Sequence, residues 1–129
     1  ITYKVKPFDV EEAKEIIKTK PQQLSQEEMF MVAQTYEPGS KEFNDVMEIA
    51  VRMFPENETA NLNAAITRLN AGDADNAKQY LDKAGTSADA QNARGVYEML
   101  KGNKKQARYY LEQAAKAGVA SAKENLQNL

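Results

Sequence analysis

The spacing of apolar residues along the chain predicts helix over most of its length. From residue 9 onwards, apolar positions recur every three or four residues, the period that places them on one face of an α-helix. The clearest such stripe holds Phe43, Val46, Met47, Ala50, Val51 and Phe54. Ser40 precedes this stripe as a candidate N-cap, and Pro55 follows it, where a helix must stop. The pattern therefore indicates an all-α protein.

The first residues follow a different period. The stretch "ITYKVKPF" alternates Ile1, Tyr3 and Val5 with polar residues, which is typical of a half-buried strand, and Pro7 ends the alternation. Such a strand either joins a sheet in another part of a longer chain or lies extended against the first helix, and the pattern does not choose between the two. Because the sequence begins with Ile, we expect it to be a fragment of a longer or processed chain.

Capping boxes mark the starts of the first two predicted helices. Asp9 is followed three residues later by Glu12, and Ser25 by Glu28, the spacing at which each side chain can bind the other residue's backbone N–H. We expect the second helix to extend to Tyr36, just before the turn "EPGS".

Two helix pairs and a shorter helix are predicted in the rest of the chain. The pairs cover residues 58–84 and 88–117, and glycine breaks each of them near the middle, at Gly72 and Gly102. The shorter helix covers residues 119–129. Helices joined by such short breaks pack side by side as hairpins.

The helices that begin after Ser25 and after Ser40 form a further pair, which precedes these two. The second helices of the three successive pairs carry the same pattern of small and large residues. Corresponding positions hold Phe43, Ala77 and Ala107; Met47, Leu81 and Leu111; and Ala50, Ala84 and Ala114. The spacing from Ala77 to Ala107, which we call the hairpin step, is slightly shorter than the spacing from Phe43 to Ala77. The same hairpin step leads from Gly72 to Gly102 and from Ala65 to Gly95. Because one helix pair cannot bury its apolar face alone, we expect neighbouring pairs to stack around a continuous core.

Two segments, "AKQYLDKA" and "ARYYLEQA", have the small–x3–large–x2–small spacing of the second helix in tetratricopeptide repeats. Pro55 stands where that pattern ends a repeat, and "AAKAGVASAKENL" is similar to the junction between Sel1-type repeats. Residues 24–129 therefore resemble the tetratricopeptide and Sel1-like repeat superfamily. The resemblance implies a right-handed superhelix of about three and a half antiparallel helix pairs, with a short extended arm and an extra helix before it in residues 1–23.

The chain also resembles poorly characterised envelope proteins of Gram-negative bacteria that end in repeats of this kind. This resemblance leaves the compartment open but leans towards the periplasm, or an outer-membrane-associated position, as part of a longer bacterial chain. No apolar run in the sequence approaches the length of a membrane span.

The composition narrows the chemistry that the chain can perform. Its 129 residues include no Cys and no His, which removes thiol chemistry, the commonest general base and the commonest zinc ligand. The net charge of −2 gives no electrostatic reason to expect nucleic acid as a partner. One short basic run, which we interpret as the solvated end of a helix, comprises Lys101, Lys104, Lys105 and Arg108.

Carboxylates are abundant, but their pattern does not predict a catalytic site. Those at spacings that could pair on a helix include Glu11, Glu12, Glu15, Glu27, Glu28, Glu42, Asp45 and Glu48. These side chains lie on the polar faces of the predicted helices, where they are solvated and pair with surface neighbours. We therefore expect no catalytic residue, no metal, no cofactor and no enzymatic activity.

The resemblance also implies a binding surface, since first helices line the concave face in this repeat class. In the last two full repeats, the first-helix stripes lie one residue later than in the tetratricopeptide pattern. With that shift, the candidate partner-binding residues are Phe30, Gln34, Asn63, Thr67, Asn70, Arg94 and Tyr97. Asn and Arg can bind a peptide backbone or carboxylate, and aromatic side chains can anchor a partner. The alternative is that Phe30 and Tyr97 pack between repeats and the others are solvated.

Two functions remain open at this point. The first is a non-catalytic scaffold that binds a protein or peptide across the concave face. The second is a structural spacer or assembly element of a larger multidomain protein, such as one of the cell envelope. Leu126 and Leu129 on a truncated last helix would leave an apolar end, which implies self-association through that end.

Overall fold

The computed structural model describes residues 8–129, and this part of the chain is helical without any strand. The helices are α1 (Val10–Thr19), α2 (Gln26–Ala33), α3 (Lys41–Met53), α4 (Glu58–Asn70), α5 (Ala74–Leu81), α6 (Ala88–Leu100), α7 (Lys104–Lys116) and α8 (Ala120–Gln127). A 3₁₀ turn at Pro21–Gln23 separates α1 from α2. The all-α prediction is confirmed for these residues. The predicted N-terminal strand and arm, up to Pro7, lie outside the described residues.

The chain forms two compact units, divided after Met53. We call them the N-terminal unit, with α1 to α3, and the C-terminal unit, Phe54–Leu129, with α4 to α8. The division into residues 1–23 and 24–129, which follows the repeat pattern, stays a prediction.

Helix capping begins the helices of the N-terminal unit where the sequence predicts. The Asp9 carboxylate accepts hydrogen bonds from the backbone N–H groups of Glu11 and Glu12, at 3.0 and 3.3 Å. Ser25 and Glu28 form the reciprocal capping box, with distances of 3.1 and 2.9 Å. These local bonds satisfy N–H groups that the first turn of a helix leaves unpaired.

The second helix ends at Ala33, so the prediction that it includes Tyr36 is wrong. Thr35 and Tyr36 donate their backbone N–H groups to the carbonyls three residues earlier, and the Thr35 hydroxyl donates to the Val32 carbonyl at 2.7 Å. A threonine side chain that binds the local backbone in this way competes with the α-helical hydrogen bonds. The Tyr36 ring is half-buried and lies under the Lys14 ammonium, 5.3 Å from its centre.

The C-terminal unit is built from two helical hairpins, α4–α5 and α6–α7, and from α8. The two hairpin turns have the same hydrogen bonds at positions related by the hairpin step. Asp73 N–H donates to the Arg68 carbonyl at 2.9 Å, and Asn103 N–H donates to the Glu98 carbonyl at the same distance. Gly72 and Gly102 have φ angles of +76° and +81°, a region that favours glycine. The predicted breaks at both turns are confirmed.

The residues that correspond in the second helices of these hairpins form the core of the C-terminal unit. Ala77, Leu81 and Ala84 are buried, as are their counterparts one hairpin step later, Ala107, Leu111 and Ala114. The partly buried side chains of Leu62, Ile66 and Val96 pack against the cluster that contains Ala77 and Leu81. Those of Val119, Leu126 and Leu129 pack against the cluster that contains Ala107, Leu111 and Ala114.

Asp73, the N-cap of α5, should make the free energy of unfolding depend on pH. Its carboxylate accepts hydrogen bonds from the Asn76 side chain at 2.6 Å and from the Asn76 backbone N–H at 3.2 Å, and these bonds hold the pKa of Asp73 below its ordinary value. A carboxyl whose pKa is lower in the folded state contributes stability above its unfolded pKa, and this contribution is lost as the pH falls through the folded pKa.

We therefore expect an Asp73→Asn variant to lose less stability on acidification than the wild-type chain. Asn caps a helix about as well as Asp but does not titrate. Urea unfolding followed by circular dichroism, from about pH 5 down to about pH 2, measures both free energies of unfolding. Glu112→Gln, an equal change of charge on the exposed side of α7, is the control. Identical pH profiles for the wild-type and Asp73→Asn chains would contradict the cap.

Candidate functional site

A groove with a cavity volume of about 710 Å³ runs along one face of the C-terminal unit. It is lined by α4, α6 and α8, together with Ser87, the residue before α6. The lining residues are Thr59, Leu62, Asn63, Ile66, Leu69, Asn70, Ser87, Asp89, Asn92, Ala93, Val96, Ser121 and Asn125. We call this surface the α4–α6–α8 groove.

Helices α4 and α6 turn the same face towards the groove. The hairpin step relates pairs of lining residues on the two helices: Thr59 and Asp89, Leu62 and Asn92, Asn63 and Ala93, and Ile66 and Val96. The hairpin step also relates the two hairpin turns, and it relates the buried residues of α5 to those of α7. The groove is therefore formed by equivalent faces of the first helix of each hairpin.

Amide side chains join α6 to α8 at the groove. The Asn125 Nδ2 donates to the Asn92 Oδ1 at 3.2 Å, and the Asn92 Nδ2 donates to the Ser121 hydroxyl at 3.0 Å. An asparagine amide offers two N–H donors and a carbonyl oxygen with two lone pairs. Both amides are thus oriented by these bonds and keep further donor and acceptor capacity for a ligand.

On α4, the amide of Asn63 is oriented by its own helix. Its Nδ2 donates to the Thr59 carbonyl at 2.9 Å, which uses one of its two N–H donors. Asn70 lines the groove at the end of the same helix and is exposed. The Thr67 hydroxyl instead donates to the Asn63 carbonyl at 3.0 Å, and Thr67 is not among the lining residues. Of the three candidates on α4, two therefore line the groove.

Arg94 and Tyr97 do not join these asparagines. The Arg94 guanidinium donates to the Leu81 carbonyl, at the end of α5, at 2.8 Å, and to the Gln91 side chain at 3.4 Å. Both candidates line a separate cavity of about 120 Å³ near α5 and α7. The geometric reason is that Arg94 follows the groove residue Asn92 by two positions, which turns it by roughly 200° around the helix.

Phe30 and Gln34 belong to the N-terminal unit. Phe30 is half-buried on α2, and Gln34 is exposed as the C-cap of that helix, with its backbone N–H on the Phe30 carbonyl at 3.0 Å. A cavity of about 480 Å³ between α1 and α3 lies in the same unit, but neither residue lines it.

Sequence reasoning did not single out Asp89, Asn92, Ser121 or Asn125 as groove residues. The signal that could have found two of them is the hairpin step. Counted from Thr59 and Leu62 on α4, that step leads to Asp89 and Asn92. The positions on α8 have no such internal guide, because the repeat pattern is incomplete there.

Comparison with known protein families, with curated proteins and with solved structures finds no match to this chain. Within residues 8–129, no helix is both long and apolar enough to cross a membrane. The same residues bring no three acidic side chains together in a group that could hold a metal ion.

Proposed function

We propose that the chain is a non-catalytic module that binds a protein or peptide segment in the α4–α6–α8 groove. The observation that carries this proposal is the set of asparagines on the three helices, Asn63, Asn92 and Asn125, beside an apolar surface of Leu62 and Ile66. Amides can pair with both the N–H and the C=O groups of a peptide backbone. Concave sites that combine apolar surface with a few placed polar groups are typical of ligand binding.

The proposal includes the finer architecture, a right-handed superhelix of the tetratricopeptide or Sel1-like kind. The hairpin step supports it, because the hairpin turns, the buried residues and the groove residues all repeat at that spacing. In such an array the first helices line one face, and a preformed groove of this kind loses little conformational entropy when a ligand binds.

Arg94 and Tyr97 have a structural role in this proposal. The Arg94 guanidinium donates to the Leu81 carbonyl at the carbonyl end of α5, where a cation interacts favourably with the helix dipole. Asn92 and Asn125 take the place of these two residues in the binding surface.

The experiment is a selection from a displayed library of random peptides on the immobilised chain, followed by titration of the enriched peptides by fluorescence anisotropy. The groove variant carries Asn63→Ala and Asn125→Ala. The matched control carries Gln79→Ala and Gln106→Ala, which remove two exposed amides from the second helices. With about 1 kcal/mol for each of the two lost hydrogen bonds, we expect the groove variant to bind roughly thirtyfold more weakly and the control to bind normally.

The structural alternative predicts a different result. Leu126 on α8 and Leu129, just beyond the end of that helix, are only partly buried, which favours an assembly role for this part of the unit. If no peptide is enriched, or if the groove variant and the control bind equally, the groove proposal fails. Concentration-dependent association in sedimentation, abolished by Leu126→Lys, would then support the assembly role.

A further inference from the structure

Asp89 is the only charged residue among the described residues that line the α4–α6–α8 groove. It lies in the first turn of α6 and is exposed. Acidic residues are favourable in the first turn of a helix, which explains why an aspartate is tolerated there. The second residues of α4 and α8, Thr59 and Ser121, line the groove without a charge, so Asp89 is the residue that makes this end of the groove negative.

Three carboxylates of the C-terminal unit pair with lysine side chains, and Asp89 is not one of them. Asp75 pairs with Lys101 at 2.8 Å, Glu56 pairs with Lys83 at 2.8 Å, and Asp82 pairs with Lys78. Asp89 forms no ion pair with any residue in the range 8–129. The groove therefore presents one uncompensated negative charge among neutral side chains.

The other lining residues divide into two chemical kinds. One kind provides aliphatic surface and comprises Leu62, Ile66, Leu69, Ala93 and Val96, and the rest carry amide or hydroxyl groups. Such a surface has no cation that could hold a carboxylate or phosphate ligand. It suits aliphatic side chains and a peptide backbone, and its field favours a positive group beside Asp89.

We propose that the groove takes an extended peptide segment that has aliphatic side chains and a single lysine or arginine, whose cation pairs with Asp89. This inference rests on the proposed function, because it assigns the ligand class of the same groove. The asparagine amides bind the backbone, the aliphatic surface takes the side chains that point inward, and Asp89 sets the position of the cation. An acidic segment binds more weakly because of repulsion from Asp89.

The test uses a positional-scanning library of acetylated, amidated octapeptides. Their residues are drawn from Val, Ile, Leu, Thr, Ser and Asn, and a single Lys, Gln or Glu occupies each position in turn. Affinities are measured by fluorescence anisotropy on the whole chain, on Asp89→Asn and on Glu112→Gln, the matched change of charge outside the groove. All three chains are first shown to have the same helical circular dichroism spectrum.

At one position, the lysine peptides should bind the wild-type chain roughly two- to fivefold more tightly than the glutamine peptides, as expected for an exposed ion pair, with the glutamate peptides weakest. Asp89→Asn should remove the lysine preference without weakening the glutamine peptides, and Glu112→Gln should keep it. Asp89→Lys should reverse it and favour glutamate. The preference should also weaken at high salt.

The outcomes separate the two proposals. If Lys, Gln and Glu peptides bind equally and their binding still depends on Asn63 and Asn125, the charge inference is overturned and the binding function stands. A lysine preference that survives in Asp89→Asn also overturns the inference. If no peptide of the library binds, this ligand class is wrong, and the peptides enriched from the random library decide whether the groove binds another class.

Discussion

Replacing Asn61 with Asp is expected to lower the free energy of unfolding by about 3–5 kcal/mol at neutral pH, the range for an uncompensated buried charge. Asn61 is 2% exposed and is the only buried polar side chain of the described residues. Its Nδ2 donates to the Pro55 carbonyl at 3.0 Å and to the Asn57 carbonyl at 2.8 Å. An aspartate oxygen in that place has no hydrogen to donate and faces two carbonyl oxygens instead.

The matched control for this variant is Asn57→Asp, which changes the net charge equally at the same end of α4. Asn57 is the N-cap and accepts the Ala60 backbone N–H at 2.9 Å, a role that a carboxylate fills equally well. We expect urea unfolding to show a loss of stability for Asn61→Asp and little change for Asn57→Asp.

The pH dependence gives a second readout of the same variant. Burial beside two carbonyls disfavours the charged form of an aspartate at position 61, so its pKa should be higher in the folded state than in the unfolded chain. The stability of Asn61→Asp should therefore be highest in acid and should fall as the pH rises above about 4, the ordinary value for the unfolded carboxyl. A variant within about 1 kcal/mol of the control at neutral pH, with no such fall, would refute the buried amide bridge.

Local signals explain why most helix boundaries could be predicted from the sequence. Asp9, Ser25, Gly72 and Gly102 act on backbone groups within a few residues of themselves, so their effect depends little on the rest of the fold. Asn61 shows the limit of this reasoning. A polar residue within a helix normally predicts a solvated face, and its burial depends on how the turn after α3 folds back onto α4.

The candidate site was less predictable, because a groove depends on the rotation of each helix about its axis. One residue of error in register turns a side chain by about 100°. The register taken from the resemblance placed Asn63 and Asn70 beside the groove but selected Arg94 and Tyr97 on α6, which the structure places in the other cavity. The hairpin step within this chain is the better guide, since it leads from Leu62 to Asn92.

A substitution of Gly95 tests the close packing of α6 against α7, on which the alignment of the two hairpins depends. Replacing a glycine in a helix interior with alanine normally stabilises the helix by about 1 kcal/mol. Here we expect Gly95→Ala to destabilise the chain, because a Cβ at this position would lie 2.5 Å from Leu111 Cδ2 and 2.6 Å from Leu111 Cγ. Leu111 is fully buried, so it cannot move away freely. Overpacking costs about 1–3 kcal/mol, so after the gain in helix propensity we expect a net loss of up to about 2 kcal/mol in urea unfolding.

A double-mutant cycle with Leu111→Ala separates this packing effect from helix propensity. Leu111→Ala alone should be strongly destabilising, by about 2–5 kcal/mol, since it removes buried methyl groups. In that background the obstructing atoms are absent, so adding Gly95→Ala should stabilise the chain by up to about 1 kcal/mol. A change of sign between the two backgrounds is expected only if Gly95 gives room to Leu111. If Gly95→Ala has the same effect with and without the leucine side chain, the close contact of α6 with α7 is not as described.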